Sequence, residues 1–166
     1  MNPRDFAALF ERDLTGFSAL LDRFDNEADI WRTSPAAPNS PGTLALHVTG
    51  NLRHFVGAVL GGSAYVRHRD EEFTARNVPR DELKAGLSAA VRESGEALRG
   101  MTAADLETGY PLELPVGRIR TGLFLLHLCT HLSYHLGQAD GHRRWVAEDG
   151  VSLNSVPIPS EPEESS

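Results

Sequence analysis

The sequence predicts an all-α protein, a bundle of four helices. Three observations point there. Apolar residues recur at spacings of three and four in four separate segments. Pro- and Gly-rich stretches punctuate the chain between them. Strand-like alternation is scarce and confined to a short segment containing two prolines.

The first helix starts at Asn2, a capping residue, with Pro3 at the first helical position and Asp5 complementing the helix dipole. Phe6, Phe10, Leu14, Phe17, Leu21 and Phe24 then form one stripe, which carries the predicted helix to about Asp25. Residues 33–43, TSPAAPNSPGT, form a loop. Ser40-Pro41 opens the second helix, with Leu44, Val48, Leu52, Phe55 and Val59 inward and Gly61-Gly62 as its stop. Residues 63–79 carry mixed charge without a clean period and are expected to be a loop anchored by Tyr65 and Phe73. The third helix spans about Arg80 to Arg99 on Leu83, Leu87, Val91 and Leu98, and Gly100 stops it. Residues 101–118 are expected to be irregular, with a short hairpin at 110–117. The fourth helix starts near Thr121, a capping residue, and runs to about Val146.

These elements place one domain at 1–150 and a Pro/Ser/Glu-rich tail at 151–166, expected to be disordered and dispensable. The 166-residue chain is long enough to fold without covalent staples. No apolar run reaches the ~18 residues of a membrane span. The N-terminus, acidic by its fifth residue, is not expected to be a secretory signal. The single cysteine, Cys129, excludes an internal disulfide and a Cys-rich metal site. A cytoplasmic location is the simplest expectation. The net charge is −7, and five of the acidic residues lie at or beyond Glu148 with no Lys or Arg among them. The remainder is near neutral, which argues against phosphate-backbone binding.

Three of the seven histidines fall at 127, 131 and 135. A step of four advances a helix by ~40°, so they form one stripe with Phe124 and Leu128 on its side, and Gln138 joins it one turn later. An adjacent pair reaches one ion readily. The outer pair, ~12 Å apart along the axis, does not. A metal site therefore needs one adjacent pair and a third ligand from another helix. His47 and His54 lie on the second helix and His68 in the loop after it. His47, at the edge of the apolar stripe, is better placed than His54. The alternative is a set of core histidines satisfied by hydrogen bonds. Cys129 and Ser133 face away from the stripe. Arg53 or Arg67 is a candidate for gripping a carboxylate. The run RHRDEE at 67–72 reads as a salt-bridged loop, and Tyr134 and Trp145 read as packing residues.

Residues 131–138, HLSYHLGQ, resemble the H-x-x-x-H-x-G-Q signature in the last helix of the DinB-like superfamily, the damage-inducible bundle proteins rather than the polymerase of that name. His127 matches a further histidine common there. The stretches LALHVTGNLRHF at 44–55 and YVRHRDEEF at 65–73 resemble one subfamily. The likeness spans about residues 1–147. It implies a four-helix bundle with a long crossover connection, often a homodimer. It also implies a divalent metal, zinc or nickel, held by His47, His131 and His135, with His127 outside the ligand set. Some relatives are bacillithiol S-transferases or mycothiol-dependent isomerases. The stripe carries no Asp or Glu, and Asp140 falls on roughly the other face. The expectation is thus a metal-dependent thiol S-transferase acting on a small molecule with a low-molecular-weight thiol. A metal-dependent hydrolase and a non-catalytic metal-binding stress-response module are the alternatives. No catalytic or thiol-binding residue is identified.

Overall fold

The computed structural model describes residues 2–153. Helix α1 spans Pro3–Leu21, α2 Pro41–Leu52, α3 Arg69–Thr74, α4 Arg80–Arg99 and α5 Thr121–Ala147. Among the described residues there is no sheet, only three isolated bridges. No helix among them is long and apolar enough to cross a membrane.

The four long helices form the expected bundle. Helix α1 packs against α4 and α5, and α2 packs against the same two. The members of each pair therefore stand at opposite corners. The connections 22–40 and 100–120 join opposite corners and are the crossovers of the bundle. Phe6, Phe10, Leu14 and Phe17 of α1 are fully buried, each contributing ~1.5–3 kcal/mol by leaving water. Helix α2 is buried nearly all round, with Leu46 the exception. A polar side chain on α2 is thus held inside the protein.

Several boundaries differ from the expectation. Helix α1 begins with the predicted capping box, Asn2 with Asp5, but stops at Leu21. The Arg23 and Phe24 amides turn back to the Leu20 and Leu21 carbonyls, which tightens the chain while keeping Phe24 buried. A 3-10 turn at Glu27–Trp31 follows. Helix α2 passes into a π-helical segment at Arg53–Ala58. The wider turn breaks the predicted stripe, so Phe55 and Val59 are only partly buried. Residues 63–79 are not all loop, because they contain α3. At 101–118 a 3-10 turn, Asp105–Glu107, precedes a tight turn in which Leu114 and Gly117 pair. Gly117 sits at φ +90°, a conformation that suits glycine. Arg120, not Thr121, occupies the N-cap of α5.

The tail is not free from its first residue. The Arg143 guanidinium donates to the Val151 carbonyl, and the Leu153 amide donates to Asp140 Oδ1 at 3.1 Å. Residues 151–153 are therefore hydrogen-bonded to α5. Residues 154–166 lie outside the described part.

Candidate metal centre

The centre forms where α2 meets the middle of α5. His47 projects from α2, and its ring is nearly buried. His131 and His135, one turn apart on α5, are half-buried. His131 Nε2 lies 3.3 Å from His47 Nε2 and 3.1 Å from His135 Nε2. One ligand atom from each of the three lies within 4.8 Å of the others. Bonds of ~2.0–2.1 Å in a tetrahedron place neighbouring nitrogens ~3.3–3.4 Å apart, so the spacing suits one small divalent ion.

The tautomers sharpen that fit. His47 Nδ1 lies 2.9 Å from Glu72 Oε2, and His135 Nδ1 lies 2.8 Å from Gln138 Oε1. Both partners are acceptors, because Glu72 is held as a carboxylate and the Gln138 amide donates its N–H to Tyr134 Oη at 3.0 Å. Each Nδ1 therefore carries the proton, and each Nε2 presents a lone pair to His131. A single N–H on His131 Nε2 satisfies one of those lone pairs and leaves the other facing it. A cation satisfies all three. This weighs against the alternative of histidines linked only by hydrogen bonds.

Burial lowers the His131 pKa to about 4, helped by the neighbouring rings of His135, His47 and His127 and by Arg67. Burial lowers His135 as well, against the Gln138 hydrogen bond, which raises it. Both imidazoles are thus neutral near pH 7, the form that binds metal.

Sequence reasoning missed Glu72. It sits on α3, is 6% exposed, and fixes His47 from behind. Burial pushes its carboxyl upward, but hydrogen bonds from Arg67 and His47 outweigh that and hold it below the ordinary carboxylate range. Arg67 Nε donates to Oε1 at 2.6 Å, and Nη2 donates to Oε2 at 2.8 Å. The run 67–72 is salt-bridged, as expected, yet it is also the support of the centre. Gly50, one turn beyond His47, makes room for it. A Cβ there would overlap Glu72 Oε1 and lie 2.9 Å from Cδ.

The remaining candidates fall elsewhere. His127 is exposed and stacks on Phe124, one turn before the triad. His54 lies against Phe55, and burial followed by Arg67 lowers its pKa. His68 is exposed at the start of α3. Arg53 and Arg67 do grip carboxylates, but those of Glu93 and Glu72. Cys129 is buried away from the centre, and burial, with Asp13 nearby, pushes its thiol up to about 12. Ser133 hydrogen-bonds Asp13 of α1. Tyr134 and Trp145 are not packed as expected, being 62% and 48% exposed.

No curated protein matches the chain. The model of the DinB superfamily matches residues 9–139, most of the described fold and all three histidines. The chain belongs to the DinB superfamily.

Proposed function

We propose that this protein is a metal-dependent thiol S-transferase that joins a low-molecular-weight thiol to a small electrophile. One observation carries the reading. Three imidazole nitrogens converge, and among the described residues neither a nucleophile nor a free carboxylate stands beside them. His47, His131 and His135 would hold a divalent ion, zinc or nickel. Such an ion lowers the pKa of a thiol brought against it. Three protein ligands are also the number that leaves a zinc ion room for a reactant.

The chain's own residues do the rest. Glu72 and Gln138 hold the His47 and His135 rings in the Nδ1–H form and fix their directions. Arg67 locks Glu72, so both carboxylate oxygens are engaged. That engagement favours thiol transfer over hydrolysis, because a hydrolase wants a carboxylate free to accept a proton from water. Cys129 is buried and protonated at neutral pH, so the reacting thiol comes from outside the chain.

The test is a screen of zinc- and nickel-loaded protein with bacillithiol, mycothiol, glutathione and cysteine, each with a neutral electrophile. The expected result is metal-dependent thiol consumption that disappears in His131→Ala. Ester or amide hydrolysis with no thiol consumed would contradict the reading in favour of a hydrolase. Inactivity in both assays would contradict it in favour of a non-catalytic metal-binding module.

A further inference from the structure

The segment that carries α3 sorts its charges by face. His68, Glu71 and Glu72 line a cavity against α4, where Gly86 and Ala89 form the opposite wall. Phe73 turns to the triad, its ring centroid 5.0 Å from that of His47. Arg69, four residues before Phe73, shares that face, and its guanidinium lies 5.3 Å from the Phe73 centroid.

Arg67 is nearer still. Arg67 Nη2 and His47 Nδ1 bond the same oxygen, Glu72 Oε2, at 2.8 and 2.9 Å, so guanidinium and imidazole are neighbours across one atom. The guanidinium lies over Phe55, 5.4 Å from its centroid, and Phe55 meets Phe124 of α5 at 5.2 Å. Its charge reaches His131, whose pKa it helps to lower. Arg67 therefore stands on the flank of the centre, where α2 and α5 come together.

Both cations have donors to spare. A guanidinium carries five N–H groups. Arg67 gives one from Nε and one from Nη2 to Glu72, and among the described residues Nη1 donates to nothing. The side chain is only 10% exposed, so leaving those donors unmet is costly. Arg69 is exposed and, among the described residues, meets the Phe73 ring but no carboxylate. Glu72 is already engaged, Glu71 faces α4, and Asp70 falls ~100° round the helix from Arg69.

We infer that Arg67 and Arg69 receive a carboxylate of the reactant that meets the metal, so that the thiol of the proposed reaction carries a carboxylate a few bonds from its sulfur. A planar carboxylate suits a guanidinium that Glu72 holds in one orientation. The inference rests on the thiol-transfer reading for the identity of the reactant, but the charge preference is read from binding alone.

The experiment titrates nickel-loaded protein at neutral pH with 3-mercaptopropionate and with 3-mercaptopropionamide, equal in length and different in charge, and reads the thiolate-to-nickel absorption band. Wild-type protein should bind the carboxylate about three- to tenfold more tightly. Arg69→Gln and Arg67→Gln should each bring the two affinities together, and Arg69→Lys should keep them apart. The two probes are compared within one loaded variant, so a weaker hold on the metal when Arg67 no longer pins Glu72 cancels from the ratio. Equal affinities in the wild type would overturn the inference. So would an advantage undiminished in both glutamine variants, the result expected if the carboxylate binds the metal itself. Butyrate and butyramide, followed by ligand-observed NMR on zinc-loaded protein, repeat the comparison without sulfur. A protein that gives no thiolate band, yet prefers butyrate and loses that preference in Arg69→Gln, would leave the anion site standing and remove the transferase reading. Equal binding of butyrate and butyramide by such a protein would overturn both.

Discussion

Replacing Glu72 with Gln removes one charge and almost no volume. Its two neighbours are both donors, the His47 Nδ1–H and the Arg67 guanidinium. A carboxylate offers an acceptor to each, whereas an amide offers one acceptor and one N–H₂. With the amide oxygen turned to Arg67, the N–H₂ faces His47 and favours the tautomer with its proton on Nε2. That removes a lone pair from the centre. Losing a partner of this kind costs 10- to 100-fold in metal affinity, about 1.4–2.7 kcal/mol. The assay is a competitive zinc titration of metal-free protein against a chromophoric chelator. Adding Arg67→Met to Glu72→Gln frees the amide oxygen for His47, so the double variant should bind zinc more tightly than Glu72→Gln alone. Unchanged zinc affinity in Glu72→Gln, or a double variant weaker than the single one, would refute the claim that Glu72 sets the His47 tautomer.

Gly50→Ala should reproduce part of that loss. Alanine within a helix normally stabilises by ~1 kcal/mol over glycine, but here the methyl displaces Glu72, so chelator competition should read weaker zinc binding. Metal-free protein should lose stability as pH falls from ~6.5, the ordinary histidine pKa, towards the His131 value of about 4. In that window the unfolded chain binds the extra proton, so urea midpoints should rise with pH, and His131→Gln should flatten the slope. Cys129, with its thiol pKa raised to about 12, should resist a thiol-reactive dye at pH 8 until urea unfolds the chain.

The four long helices were legible from their apolar periods, and Leu83, Leu87 and Leu98 of α4 lie buried where the pattern puts them. His47 was preferable to His54 from its angle to the α2 stripe, and the structure brings it to the α5 pair. What escaped has local causes. Helix α3 is a single acidic stretch whose charges resemble those of a solvated loop, so nothing local marks Glu72 as the one carboxylate that turns inward. The π-helical segment after Leu52 shifts the register beyond any period of 3.6. Gly50 did leave a signal. A glycine inside an apolar helix costs ~1 kcal/mol, and a close approach by another group is the usual reason to keep one. The exposure of Trp145 escaped because its burial depends on the distant 33–39 loop, which lines a cavity beside it rather than closing over it.

The central claim is that His47, His131 and His135 hold one divalent ion. The most direct measurement is elemental analysis by mass spectrometry of protein purified without a metal-affinity tag, alongside His47→Ala, His131→Ala, His135→Ala and His127→Ala. The account predicts about one ion per chain in the wild type, a sharp loss in each of the first three variants, and near wild-type content in His127→Ala. A wild-type protein that binds no ion even after incubation with zinc, or a His127→Ala variant stripped of metal while His135→Ala keeps it, would contradict the account.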